Sequence, residues 1–193
     1  MFVTTKLIKE KEFSLIKIYG EVGIGKTTYA LKVLYQYYGD WNKALKSIVD
    51  LDEFMDLLDD ANTQGYKLEP LLLDDASLYL YYMDYNEDPV KKFMKALTIA
   101  RTICKAILLT FPDPQLLIKK LRSFEGSIQI HIIKNSDKYH PYRRMAKIYK
   151  IYTLPTGQRY LKLIGYDNFS ARLPDPIYEK YMKIRQTFLK KIQ

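Results

Sequence analysis

The feature that most constrains this 193-residue chain is the segment Gly20-Glu21-Val22-Gly23-Ile24-Gly25-Lys26-Thr27 and its setting. It follows the apolar run Phe13-Ser14-Leu15-Ile16-Lys17-Ile18-Tyr19 and precedes a stretch of helical periodicity from about Lys26 to Tyr38. A strand, a glycine-rich turn and a helix in that order make an anion cradle. The glycines let successive N–H groups turn inward, and the helix start adds the positive end of its dipole. The spacing is that of the phosphate-binding pattern G-x-x-x-x-G-K-[ST]. Gly20, Glu21, Val22, Gly23, Ile24, Gly25, Lys26, Thr27 and Thr28 are therefore the expected nucleotide-binding residues. In this scheme Lys26 places its cation on the β- and γ-phosphates, and the Thr27 hydroxyl ligates Mg²⁺.

The rest of the chain alternates strands with helices. Ser47-Ile48-Val49 reads as a short strand, after which Asp50 or Asp52 caps a helix with Leu51, Phe54, Met55, Leu58 and Ala61 on one face. Pro70-Leu71-Leu72-Leu73-Asp74-Asp75 is an apolar strand ending in two acids. Asp88-Pro89 supplies an N-cap and a first-turn proline for a helix bearing Val90, Phe93, Met94, Leu97 and Ala100. Ala106 to Thr110 is a further strand, Asp113-Pro114 starts a helix through Leu117 and Leu121, and Ser127 to Ile133 is a strand again. Such alternation predicts an α/β fold with a parallel sheet covered on both faces.

The texture changes after Lys134. Met145–Leu154 and Gln158–Ile164 read as two strands joined by Pro155-Thr156-Gly157, a hairpin signal. Asp175-Pro176 starts a last helix whose Ile177, Tyr181, Ile184, Phe188 and Ile192 form an apolar stripe. The expected organisation is a phosphate-binding domain over 1–133 and a small basic extension, hairpin plus helix, over 134–193.

The remaining candidates for chemistry lie at strand and helix ends. Asp74 ends an apolar strand 48 positions beyond Lys26, where a second Mg²⁺-binding acid is needed. Asp75, from its place after the strand, reads as a cap for the next helix. Thr110 ends its strand with a hydroxyl: it resembles the sensor position of P-loop ATPases, which hydrogen-bonds the attacking water or the γ-phosphate, and it also reads as a buried threonine satisfying backbone groups. Arg122 and Arg101, in that order, are candidates to stabilise transition-state charge, from the same chain or a neighbour, and either also reads as part of a surface or structural salt bridge. Asn135-Ser136-Asp137-Lys138 has the wrong order for guanine recognition, and His131 and His140 lack partners at zinc-ligand spacing.

The blocks Tyr19–Ala30, Leu73-Asp74-Asp75-Ala76, Ala100-Arg101-Thr102 and Leu121-Arg122, in that order, resemble small P-loop ATPases of the AAA+ or FtsK/HerA-like group, as encoded by archaeal plasmids and viruses. The resemblance spans roughly residues 13–133. It makes Gly20–Thr28 the Walker A loop and Asp74-Asp75 the Walker B ending, with Asp75 in the place of a water-polarising acid that is usually Glu. What it implies is Mg²⁺-dependent ATP hydrolysis coupled to work on DNA, such as replication, partition or packaging, with homo-oligomeric rings common.

The charge is unevenly distributed along the chain. Residues 1–133 hold 17 Lys/Arg and 18 Asp/Glu, whereas residues 134–193 hold 14 and 4, so the formal charge of +9 sits in the last 60 residues. Such a region attracts nucleic acid, an anionic membrane or an acidic partner protein, or is a lysine-rich solvated face. The single Cys104 lies in an apolar run, and the N-terminus from Met1 lacks the apolar stretch of a signal peptide, so a soluble cytoplasmic protein is expected. Two other functions fit the same residues: a small-molecule kinase with a basic lid, and a nucleotide-gated DNA-binding or assembly protein with little turnover.

Overall fold

The computed structural model describes residues 2–84 and 86–192, with the backbone alone at Tyr82 and Ile192. Met1 and the Ile192 side chain lie outside the described residues. Helix α1 (Val3–Glu10) leads to β1 (Ser14–Tyr19), the glycine-rich loop and α2 (Lys26–Tyr38). Then come α3 (Trp41–Lys46), α4 (Leu51–Gln64), β2 (Leu71–Leu73), two 3-10 turns (Ala76–Leu78 and Tyr82–Asp84) and α5 (Asp88–Ile103). Strand β3 (Ala106–Phe111), a 3-10 turn (Pro114–Leu116), α6 (Lys119–Arg122) and β4 (Ile128–Lys134) come next. The chain ends with β5 (Arg143–Thr153), β6 (Arg159–Ser170) and α7 (Asp175–Ile192).

One six-stranded sheet runs in the order β2-β3-β1-β4-β5-β6. The first four strands are parallel neighbours, and β5 and β6 are added antiparallel. Alternate residues of the parallel strands feed two cores. Ile16, Ile18, Leu108 and Ile130 pack with α2 and α3, and Leu15, Leu73, Ile107 and Leu109 pack with α4 and α5. Burial on both faces is why these strands read as unbroken apolar runs. The order puts β3 between β1 and β2, so the end of β3 lies between the glycine-rich loop and the acids after β2.

The segment after Lys134 is continuous with this body. Strand β5 pairs with β4 from Ile128↔Lys150 to Lys134↔Arg144, and β6 pairs with β5 past a register shift at Ile148/Tyr149. Phe169, Leu173 and Tyr181 belong to the same buried cluster as Ile16 and Leu34. Position 133/134 falls at the end of β4, inside a sheet that both segments share. Asp167 of β6 ties the assembly at its other end. Its carboxylate is buried and accepts from the Val3 N–H (2.7 Å) and the Tyr29 hydroxyl (2.6 Å), fastening α1 and α2 to β6.

Several expectations are modified. Helices α1 and α3 carry no strong sequence signal; Asp40 caps α3 by accepting from the Asn42 N–H at 2.7 Å. Ser47–Val49 forms not a full strand but a short parallel bridge to Leu72. Asp50 caps α4, accepting from the Glu53 N–H at 2.8 Å, and Glu87 rather than Asp88 occupies the cap of α5. The helix expected from Asp113 through Leu121 is broken at Leu117, which is extended (ψ 151°) and bridges Tyr81. There the backbone pairs with the 80–81 segment in place of a helical turn, which shortens α6 to Lys119–Arg122.

Candidate nucleotide site

The glycine-rich loop joins β1 to α2 with positive φ at Gly20 (148°), Gly23 (76°) and Gly25 (104°). Two of these glycines also answer close approaches. A Cβ on Gly20 would stand 2.6 Å from the Ile132 carbonyl oxygen, and one on Gly25 would stand 3.0 Å from the Ala171 Cβ. Side chains are excluded by conformation and by space together. Glu21 and Val22 are exposed at the loop tip, Ile24 is buried beneath it, and Gly25 caps α2 from the left-handed region.

Lys26, the first residue of α2, is buried and folds back over the loop. Its Nζ donates to the carbonyl oxygens of Gly20 (3.0 Å) and Glu21 (2.9 Å), so a phosphate in the loop competes with these two acceptors for one ammonium. Burial lowers the pKa of Lys26, and Asp75 and Asp74 pull it back up.

Three strand and helix ends converge on Asp74. Its Oδ1 accepts from the Thr27 hydroxyl at 2.7 Å and from the Thr110 hydroxyl at 2.6 Å. Thr110, fully buried at the end of β3, also accepts the Asp75 N–H at 2.9 Å. One hydroxyl thus ties the Asp74 carboxylate to the Asp75 backbone. Asp75 has φ 50° and ψ 44°, and it is the one non-glycine residue with positive φ among the described residues. Aspartate tolerates this region better than most residues, yet a left-handed turn held by a buried hydroxyl is a strained arrangement of the kind that collects at working sites.

Helix α7 closes the site from above. Tyr181 donates its hydroxyl to Asp74 Oδ2 at 2.8 Å, and Arg185 Nη2 lies 2.9 Å from Asp75 Oδ2. Farther along, Lys191 meets Asp50 Oδ2 at 2.6 Å. Burial, reinforced by Asp74, raises the pKa of Asp75; Arg185 and Lys26 oppose the rise. Burial beside Asp74 raises the pKa of Tyr181. The rest of the C-terminal segment braces the loop. Arg144 of β5 donates from Nε to the Ile24 carbonyl at 3.2 Å, and Thr28 donates to the Ala171 carbonyl at 3.3 Å.

The structure brings together Lys26, Thr27, Asp74, Asp75 and Thr110, but it does not bring Arg101 or Arg122 to them within the chain. Arg101 is exposed at the C-terminal end of α5, 5.7 Å over the Phe124 ring, in a cleft with Phe13 and Ser127 at the opposite ends of the strands. Arg122 closes α6 beside Gln129 and Ile151. The arginine that reaches the acids is Arg185. In sequence it is one cation in a lysine-rich helix, marked only by its i+4 spacing from Tyr181, and Tyr181 reads as part of an apolar stripe. The inward turn of Arg185 and Lys191 also corrects the picture of a free basic face, because two of its cations neutralise acids from the first half of the chain.

The donor set suits a small hard cation. Thr27 and Asp74 offer oxygen donors 2.7 Å apart beside the phosphate loop, and no group of three His, Cys, Asp or Glu able to hold a metal occurs among the described residues. A Mg²⁺ ion here would take its other ligands from nucleotide phosphates and water, in keeping with that ion's usual habit. His131 instead stacks on Tyr19 (4.8 Å between centroids), and His140 contacts Asp137 at 3.1 Å. Cys104 is a core thiol pushed up by burial to about 12. No helix among the described residues is long and apolar enough to cross a membrane.

A mostly parallel α/β sheet whose first strand runs through a glycine-rich loop into a helix, with an acid after the strand next but one, is the P-loop NTPase fold. The chain is 16% identical in sequence to the N-terminal domain of zonular occludens toxin from Neisseria meningitidis, with a TM-score of 0.50 over 86% of this chain and 97% of that one, a likeness of fold. It is 29% identical over its whole length to the uncharacterized protein B-251 of Sulfolobus spindle-shape virus 1, covering 82% of that protein. It is 28% identical over 107 residues to the uncharacterized protein ORF286 of Acidianus two-tailed virus, covering 53% of this chain and 37% of that protein. No family model matches the chain.

Proposed function

We propose that the chain is a Mg²⁺-dependent ATPase whose nucleotide cycle drives work on nucleic acid, in the AAA+ or FtsK/HerA-like division of the P-loop NTPases. The observation that carries this reading is the double hydrogen bond of Thr110, which fixes Asp74 and Asp75 side by side next to Thr27. In that arrangement Lys26 and the loop N–H groups hold the phosphates, and Thr27 and Asp74 hold Mg²⁺, which would neutralise phosphate charge. Asp75 orients the attacking water, and Arg185 keeps its carboxylate ionised and aimed. The strand order supports the division, since β3 with its terminal hydroxyl stands between the strands that carry the loop and the acids.

A second reading has one specific observation in its favour. With Arg185 on Asp75 and Tyr181 on Asp74, the acids are engaged by α7, as a nucleotide-gated assembly protein with little turnover would require.

Phosphate release from ATP, measured with and without DNA for the wild-type chain and for Lys26→Ala and Asp75→Asn, separates the readings. DNA-stimulated release that both variants abolish, with Asp75→Asn still retaining bound ATP, is expected of the ATPase. Nucleotide-dependent DNA binding without release favours the second reading, and full hydrolysis by Asp75→Asn removes Asp75 from its role.

A further inference from the structure

A basic groove lies on the NTPase core, away from the nucleotide loop. Between α5 and α6 is an open cavity of about 910 Å³ lined by Lys91, Lys95, Lys119, Lys120 and Arg122. A second cavity of about 520 Å³ continues from it toward β6 and adds Arg159; the two share Lys119, Arg122 and Ser123. No Asp or Glu lines either cavity, and none of the six cations is in an ion pair among the described residues. The Nε of Arg122 is buried without a hydrogen-bond partner there. This is the reverse of α7, where Arg185 and Lys191 are already paired with acids.

The floor of the groove is apolar. Val90, Met94 and Ile118 line the first cavity, and Ile151, Tyr160 and Leu161 line the second. Tyr160 and Leu161 are 44% and 47% exposed, and the Tyr160 ring is held by stacking on Tyr152 at 5.6 Å. Cations along a groove with an apolar and aromatic floor match a chain of phosphates carrying unstacked bases, because each base has a face to lay on such a floor. A duplex would present its phosphates and keep its bases stacked inside. Lys17 of β1, three residues before the glycine-rich loop, donates to the Leu121 and Arg122 carbonyls at 3.0 and 2.8 Å, so the strand that carries the loop also holds the α6 wall of the groove.

We infer that the groove between α5 and α6, continued along β6, is a track for single-stranded nucleic acid. The inference rests on the nucleic-acid partner of the proposed function and moves its main contact from the basic region 134–193 as a whole to a groove that α5 and α6 share with β6.

The test is fluorescence anisotropy of a labelled oligo-dT of about 20 nucleotides, enough for one binding site, titrated with the full chain at several salt concentrations. Lys91→Ala/Lys95→Ala/Lys119→Ala is compared with Lys180→Ala/Lys183→Ala/Lys190→Ala, which removes equal charge from α7. The groove variant is expected to bind at least about tenfold more weakly and to flatten the salt slope by about 2, roughly 0.7 per lost phosphate contact. The α7 variant should leave that slope nearly unchanged. Equal losses in both variants, or a loss confined to the α7 variant, overturn the groove while sparing the nucleic-acid reading. Equal affinity for a duplex overturns the single-strand assignment, and no binding by the wild-type chain overturns both.

Discussion

Arg185 Nη2 lies 2.9 Å from Asp75 Oδ2, joining the last helix to the acid after β2 across 110 positions of sequence. The pair is half-exposed, with side-chain accessibilities of 43% and 29%, so it contributes little to stability. Its effect is on the titration and aim of Asp75. Burial and Asp74 push that carboxyl toward its neutral form, and Arg185 is the first of the two cations that oppose them.

Removing the guanidinium should therefore shift a pH profile. In Arg185→Ala the opposition to protonation is weakened, the pKa of Asp75 rises further, and the acid limb of the phosphate-release profile moves to higher pH. An acid limb in the wild-type position would show that Asp75 does not act as the ionised group in turnover.

Tyr181 occupies Asp74 Oδ2, the oxygen that Thr27 and Thr110 leave open. Tyr181→Phe keeps the packing of the ring and frees that oxygen, so half-maximal ATP binding should need less Mg²⁺. Loss of one hydrogen bond costs about 1 kcal/mol, a fall in Tm of roughly 2–4 °C. Titration of Mg²⁺ against a fluorescent ATP analogue reads the first effect, and calorimetry reads the second.

Thr110→Val substitutes a methyl for a fully buried hydroxyl that both donates to Asp74 and accepts from Asp75. Each unmet partner costs on the order of 1–3 kcal/mol. Phosphate release should fall by about tenfold or more, with KM for ATP little changed, because Lys26 and the loop still bind the phosphates. A large rise in KM with kcat preserved would place Thr110 in substrate binding instead.

Lys17, 1% exposed, is lowered by burial to about 7. The unfolded chain, with a lysine pKa of about 10.4, binds the proton more tightly, so wild-type stability should rise between pH about 7 and about 10 as the folded amine is already neutral. Lys17→Met lacks that term. Urea denaturation across this range should show the wild type gaining stability relative to the variant as pH increases, with the variant relatively more stable below pH 7; a constant difference would show that the amine does not change charge state on folding within that range.

Deleting residues 175–193 should not leave a free-standing ATPase domain. Tyr181 is 7% exposed in the main core, and Ile177, Met182 and Phe188 pack against the same cluster. Thermal unfolding of the truncated chain should begin at markedly lower temperature, with increased binding of a hydrophobic dye.

The strand and helix positions around the loop were legible because their signals are local. The helix from Lys26 to Tyr38 has a glycine at each end, and β1 and β3 are apolar runs of strand length. The break at Leu117 was not legible, since it depends on pairing with residues 80 and 81 in a distant loop. The same holds for β6, whose far end to Ser170 is a strand because β5 is there to pair with it.

For the site, the sequence by itself determined the phosphate loop and the two acids: glycine spacing, a lysine and a threonine before a helix, and carboxylates after an apolar strand are all requirements met within a few residues. Tertiary structure alone decided which cations reach those acids. Net charge counts side chains without directions, and a C-terminal segment ten charges to the positive reads as a face for polyanions. Folding the last helix over the buried Asp50 and the partly buried Asp75 brings Lys191 and Arg185 onto these acids, because a desolvated carboxylate is pushed toward its neutral form and a nearby cation opposes that. The groove cations, without an ion pair among the described residues, belong to α5, α6 and β6, stretches that meet only once the sheet has formed.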